Sequence, residues 1–325
     1  MKIFLDAMGG DNAPDEIVRG AVLAVEEYHV PLYLVGDEKI LKNSLQKQNL
    51  SSENLTVIHA SESIGMQEEP ALAVRKKKDS SLVVMARLLK ESKDGVMVSA
   101  GSTGAVLASA LFCTGRIKGI QRPAIAAVIP AKKPTILIDS GANADCKAEY
   151  LLQFAQMGSA YMQGVFGVEK PRIGLVNIGT EECKGNTLYK QAHSLLQKSS
   201  LNFVGNIEGK EFLNGVCDVL VCDGFTGNVI LKTIEGTLRY VLGEVKGVIM
   251  TNMKTKFGGA LIKKDLYGLK TKFDPSSLGG APLLGIKGGV IKAHGSSDAI
   301  AIKNAIHQAI TFGENHVMDK IINSL

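Results

Sequence analysis

Ile136-Leu137-Ile138, followed at once by Asp139-Ser140-Gly141-Ala142-Asn143, is a short β-branched apolar run broken by a turn-forming loop. That is the pattern of a buried strand ending in a polar turn. The construction recurs on both sides. Upstream, Lys2 to Asp6 leads into Met8-Gly9-Gly10-Asp11, and Val96-Met97-Val98 into Ser99-Ala100-Gly101-Ser102-Thr103-Gly104. Downstream, Leu175 to Ile178 precedes Gly179-Thr180-Glu181-Glu182-Cys183-Lys184-Gly185-Asn186, and Val219-Leu220-Val221 precedes Asp223-Gly224-Phe225-Thr226-Gly227-Asn228. The last copy is Val290-Ile291 before Ala293-His294-Gly295-Ser296-Ser297-Asp298. Helix-spaced segments follow these loops. After the first, Ile17, Ala21, Val22 and Val25 share a helix face, and Pro14, Asp15 and Glu16 suit its first turn. Strands alternating with helices predict an α/β fold with a mostly parallel, doubly covered sheet. The polar loops are then expected together on one edge, at the strands' carboxyl ends, where such sheets bind ligands.

The 325 residues, 45% hydrophobic, can bury a large core, and they are read as one α/β unit spanning 1–325, single or bilobed. Cys113, Cys146, Cys183, Cys217 and Cys222 form no CxxC pair, which argues against a disulfide framework and for a reducing cytoplasm. Asp6 follows the first apolar run at once, so no signal or transit peptide is expected at the N-terminus. No apolar run approaches the roughly 20 residues that span a bilayer. A net charge of +5 is too small for a general nucleic-acid binder. Its distribution says more: between Lys246 and Lys272 seven lysines face one acid, Asp265.

Glycine lets a backbone approach a ligand, and a helix start offers free N–H groups, so each loop can hold an oxyanion. A tight strand-to-helix turn needs the same residues for shape alone. Several loops on one edge favour a phosphate or acyl-oxyanion site. Neither GxxxxGK[ST] nor a GxGxxG opening a helix is present, and Gly36-Asp37-Glu38 reads as an ordinary helix start, which weakens nucleotide and hydride chemistry. The six histidines form no HxH or HExxH, so no metal site is expected. His294 is either a turn residue or a proton donor. Asp6 with Asp11, and Asp139 with Asp145, are either carboxylate pairs or caps. Cys183 beside Lys184 is either an activated thiol or incidental. Lys184 is either a solvated lysine or a cation beside the anion-binding edge.

The stretches DAMGGDNAPDEIV, SAGSTGA, DSGAN, TEECKGN, CDGFTGNV and IKAHGSS, in order from Met1 to the C-terminal helix, resemble the bacterial phosphate acyltransferases. These enzymes convert acyl carrier protein thioesters into acyl phosphates for phospholipid synthesis. The resemblance implies a three-layer α/β/α fold similar to that of isocitrate and isopropylmalate dehydrogenases and of phosphotransacetylases. It further implies a cytoplasmic, peripherally membrane-associated homodimer. Asn12 stands where the family usually has His, and Ser102 where it has Asn. Acyl coenzyme A as donor, or a non-catalytic carrier-protein binder, are the alternatives.

In the expected mechanism inorganic phosphate attacks the thioester directly, with no cofactor and no metal. Backbone N–H groups of Gly101 to Gly104 and of Gly141 to Ala144 are expected to hold phosphate. Lys184 neutralises charge, Asn186 and Asn228 donate to the oxyanion, and His294 protonates the leaving sulfur. Asp6, Gly9, Gly10, Asp11, Ser99, Ser102, Thr103, Asp139, Ala142, Asn143, Asp223, Gly224, Thr226, Ser296 and Ser297 complete the expected substrate site. From about 244 to 274 a basic amphipathic arm is expected. Met253, Lys254, Lys256, Phe257, Leu261, Lys263 and Lys264 would meet anionic lipid or the acidic carrier protein, or pack a dimer. Leu266, Leu269 and Phe273 extend its apolar face. Gly258-Gly259 is expected to break the arm into two short helices.

Overall fold

The computed structural model describes residues 1–48, 50, 53–266, 268 and 279–325. β1 (Lys2–Asp6) leads through α1 (Asp15–Tyr28), β2 (Leu32–Gly36), α2 (Glu38–Lys47) and β3 (Leu55–His59) to α3 (Pro70–Lys76) and α4 (Ser81–Glu91). β4 (Gly95–Ser99), α5 (Thr103–Ser109), β5 (Ala124–Ile129) and β6 (Thr135–Ile138) follow. Next come α6 (Ala148–Val165), β7 (Ile173–Asn177), α7 (Thr187–Lys198), β8 (Phe203–Glu208) and β9 (Val219–Val221). The chain continues with α8 (Gly224–Ile249), α9 (Met253–Leu261), β10 (Ala281–Leu284), β11 (Gly289–Lys292), α10 (Ala299–Glu314) and α11 (Val317–Asn323).

Local chemistry sets the element ends. Asp37 accepts from the backbone N–H groups of Lys39 and Ile40 at 2.9 and 3.0 Å, capping α2 as the Gly36-Asp37-Glu38 turn predicts. In α1 the buried residues include Ile17, Ala21, Val22 and Val25, with Asp15 and Glu16 in the first turn. Glu16 also accepts from the Ala299 N–H at 2.8 Å and Asp298 from that of Ala301 at 2.9 Å, so two free donors of α10 are satisfied.

The eleven described strands form one sheet in the order β3-β2-β1-β4-β11-β10-β5-β6-β9-β7-β8. Alternate residues of one strand serve different cores: Leu5 and Val98 join the cluster with α1, α6 and α10, whereas Phe4 and Met97 join that with α4 and α5. Helices therefore cover both faces, making three layers. Complete burial of Phe154 in α6 contributes about 1.5–3 kcal/mol.

The expected single edge of loops does not form. β11 pairs antiparallel with β10, β10 with β5, and β5 with β6, so chain direction reverses across the centre. Loops after β1, β4 and β11 leave one edge, and those after β6, β7 and β9 leave the other.

The arm also differs from expectation. Residue 244 lies inside α8, a continuous helix of which only Gly224 and Gly227 are buried. Gly258 and Gly259 lie within α9 and do not break it. Asn252 and Thr255 form a capping box at its start, with bonds of 3.0 and 3.1 Å. A Cβ on Gly259 would lie 2.3 Å from Cγ2 of Ile249, so this glycine serves close helix packing. Leu269 and Phe273 lie outside the described residues.

Candidate active site

A cavity of about 410 Å³ joins the two sets of loops. Its floor is β5, through Ile125, Ala127 and Val128, and α8 lies over it. Phe225, Asn228, Lys232 and Glu235, at steps of three or four, with Leu231 beside Lys232, present one helix face to the cavity. The Asp139 loop closes one end, where Ser140 donates its N–H to the Ile125 carbonyl at 2.9 Å. Lys292, Ala293, His294 and Ser297, with Thr103, close the other.

At the first end the Asp139 carboxylate accepts from the N–H groups of Ile125 at 3.0 Å, Gly141 at 3.2 Å, Ala142 at 3.0 Å and Asn143 at 2.7 Å. This corrects the expectation for that loop. The N–H groups of Gly141, Ala142 and Asn143, assigned to phosphate from sequence, are spent on Asp139. Burial pushes this carboxyl above the usual range against those donors. The Asn143 amide is likewise engaged, to Pro123 and Asp139 at 2.8 and 2.9 Å. Ala144 lines the cavity, and the Asn228 side chain lies against Gly141 with no hydrogen-bond partner among the described residues. Asp223 caps α8: it accepts from the Thr226 N–H at 2.9 Å and hydroxyl at 2.7 Å, and from the Tyr189 hydroxyl at 2.5 Å.

At the second end the Ser99 hydroxyl donates to Asp6 at 2.7 Å and accepts from the Gly101 N–H at 3.0 Å. Gly9 packs so closely that a Cβ would meet Oδ2 of Asp6 at 2.2 Å. Asp11 bonds through its backbone to Gly295 at 2.8 Å, and Asn12 donates to the carbonyls of Ser296 and Ser297 at 3.3 and 3.2 Å. Asn12 thus ties the first loop to the last. Gly10, with φ at 109°, takes a conformation that favours glycine. Ser102 occupies the N-cap position of α5 without a side-chain cap bond, and Gly104 packs against Pro70. The Ser296 N–H donates to Nδ1 of His294 at 3.3 Å, which leaves the proton of the neutral ring on Nε2. Burial, then Lys232 and Lys292, hold the His294 pKa down, so the ring is a neutral donor at pH 7.

Of the four residues expected to act in catalysis, Asn228 and His294 line the cavity and Lys184 and Asn186 do not. Of the expected substrate-site residues, Thr103, Gly141, Ala144, Gly224 and Ser297 line it and the others do not. Lys184 sits on the β7 loop, half exposed, 3.8 Å from Glu181. Asn186 caps α7 by accepting from the Tyr189 N–H at 3.2 Å. Three charged residues absent from the expectations line the cavity: Lys232, Glu235 and Lys292. Lys232 pairs with Glu235 at 2.7 Å. Lys292, the lysine of IKAHGSS, ends a buried strand, the one sequence signal that marks it.

A family model described as a fatty acid synthesis protein matches residues 1–320. A phosphate acyltransferase of Clostridioides difficile is 48% identical over 323 residues, covering 99% of this chain and 95% of the relative. One from Oceanobacillus iheyensis is 50% identical over 311 residues, covering 95% and 92%. Among solved structures, a phosphotransacetylase from Streptococcus pyogenes aligns with a TM-score of 0.64 at 17% identity, covering 98% of this chain and 94% of that one. A 4-hydroxythreonine-4-phosphate dehydrogenase from Klebsiella pneumoniae gives 0.58 at 12%, covering 96% and 99%. The structural likeness bears out the expected fold. The match along nearly the whole chain establishes the rest: this protein belongs to the fatty acid synthesis protein family.

Proposed function

We propose that the protein is an acyltransferase that moves an acyl group from a carrier thioester to inorganic phosphate, releasing an acyl phosphate and the carrier thiol. The observation that carries this is one cavity with an apolar floor along β5 and a cationic end, in a chain about half identical to phosphate acyltransferases. A phosphate oxygen bonds to the carbonyl carbon, the tetrahedral oxyanion collapses, and the C–S bond breaks with its electron pair going to sulfur. The enzyme's work is to position phosphate and stabilise charge.

Asn228 donates to the oxyanion, and Thr103 of the Gly101 to Gly104 loop lines the phosphate end. His294, neutral and protonated on Nε2, hydrogen-bonds the leaving sulfur. Lys184 neutralises charge near the reacting centre. Its ion pair with Glu181 is exposed and long, so releasing the ammonium costs little. Asn186 positions that loop by capping α7.

The carrier we infer is acyl carrier protein, an acidic partner for exposed Lys254, Lys256, Lys263 and Lys264. Met253, Phe257 and Leu261, 79%, 71% and 72% exposed, support attachment of α9 to an anionic membrane surface from the cytoplasm. Among the described residues no helix is long and apolar enough to cross a membrane. Exposed Tyr240, Val241 and Val248 on α8 support pairing with a second copy.

The test is to incubate the protein with phosphate and acyl carrier protein thioester, with acyl coenzyme A in parallel, and to follow acyl phosphate by mass spectrometry. Product from the carrier protein supports the proposal. Product from coenzyme A alone replaces the donor, and product from neither ends the enzymatic reading.

A further inference from the structure

Lys292 is the last residue of β11 and pairs in register with Ser99 of β4. Ser99 in turn lies beside Asp6 of β1 and donates to it at 2.7 Å. Asp6, Ser99 and Lys292 therefore stand abreast on three neighbouring parallel strands. Two residues earlier, Phe4, Met97 and Val290 mark the same face of the sheet.

Lys292 lines the cavity and donates to the Ala293 carbonyl. An ammonium carries three donors, so two remain. No carboxylate among the described residues ion-pairs with it. The charged and titratable groups that face it are Asp6 from β1, Asp11 from the following loop, Lys232 across the cavity on α8, and His294 on its own loop. Glu235, the acid beside Lys232, is held by that lysine at 2.7 Å.

A lysine with spare donors and no paired carboxylate, set into a cavity wall, is unfavourable until an anion arrives. We propose that Lys292 is the residue that seats the phosphate nucleophile, its ammonium holding one phosphate oxygen at the end of the β5 groove, with Lys232 the second cation across it. This rests on the acyl-to-phosphate reading above and adds to it the position of the nucleophile. Burial, in part offset by Asp6 and Asp11, brings the Lys292 pKa down to about 8. The ammonium is thus mostly charged at pH 7, and bound phosphate stabilises that form.

Steady-state kinetics of Lys292→Met should show KM for phosphate raised about tenfold to a hundredfold, the range for losing a charged hydrogen bond. KM for the acyl thioester should stay within twofold. Lys292→Arg should keep phosphate KM within several-fold, and it should move the alkaline fall in kcat/KM for phosphate, expected near pH 8 in the parent, to higher pH. Parental phosphate KM in a folded Lys292→Met protein overturns the inference.

A measurement on the unmutated protein does not depend on folding of a variant. Trace amine acylation at pH 8, mapped by peptide mass spectrometry, should label Lys292. Millimolar phosphate should suppress that label, and chloride at equal ionic strength should not. Equal labelling in both salts overturns the inference. A parent that makes no acyl phosphate sinks the functional reading instead, while the labelling still reports whether phosphate meets Lys292.

Discussion

A Cβ on Gly227 would stand 1.9 Å from the carbonyl oxygen of Asp139. The first turn of α8 thus lies directly on the loop that closes one end of the cavity. Gly224 makes the same kind of approach, 2.6 Å from the carbonyl of Asn143. With both glycines in place, α8 runs across β5 as a roof and brings Asn228, Lys232 and Glu235 over the groove.

Gly227→Ala forces backbone apart where no flexible side chain can give way. The expected loss is about 1–3 kcal/mol of stability, the usual cost of overpacking. Urea unfolding measures it, and acyl phosphate formation should fall with it because the roof is displaced. Unchanged stability would mean that α8 is held by other contacts.

Lys184→Ala should fold normally, because the side chain is half exposed and its pair with Glu181 is long. Its turnover should nevertheless fall by about a hundredfold to a thousandfold, the usual cost of losing one charge-stabilising donor. Near-parental turnover would remove Lys184 from the chemistry.

For Lys292 the sign of the pH effect on stability is definite. Its pKa is brought down to about 8 from 10.5, so the folded state binds this proton more weakly than the unfolded chain does. The resulting penalty is full below pH 8 and disappears as pH rises through the unfolded value. Lys292→Met should therefore be at least as stable as the parent at pH 7, with the difference narrowing toward pH 10. A variant less stable at pH 7 would show that the lysine holds the fold together.

Phe257→Glu combined with Leu261→Glu changes two side chains that are 71% and 72% exposed. The melting temperature should stay within a degree or two, while co-sedimentation with anionic vesicles should fall several-fold. Unchanged vesicle binding would leave the arm to carrier docking or to a second copy.

What was legible in the sequence is what local chemistry decides. β1 spans Lys2 to Asp6 as its apolar run requires, Asp37 caps α2, and Ile17, Ala21 and Val25 bury one face of α1. The reversal of the sheet was not legible. β10 is antiparallel to both β11 and β5 and so leaves β5 running with β11. The reversal comes from the antiparallel pairing of β5 with β6, and β5 ends in none of the polar loops by which the other strands were read. Gly258-Gly259 read as a break because its reason, the approach to Ile249, is tertiary. The Gly141 to Asn143 N–H groups looked free until the fold turned Asp139 back onto them. Lys292 went unnoticed because a lysine ending a strand resembles a surface residue until strands on both sides enclose it.

The central claim is that phosphate itself attacks the thioester in this cavity, with no acyl group passing through the protein. Rapid-quench measurement of carrier thiol release, with and without phosphate, tests it most directly when the intact protein mass is read in the same samples. The account predicts no release and no mass increase without phosphate, and one acyl phosphate per thiol when phosphate is present. A stoichiometric burst of thiol in the absence of phosphate, with the protein heavier by one acyl group, would contradict it.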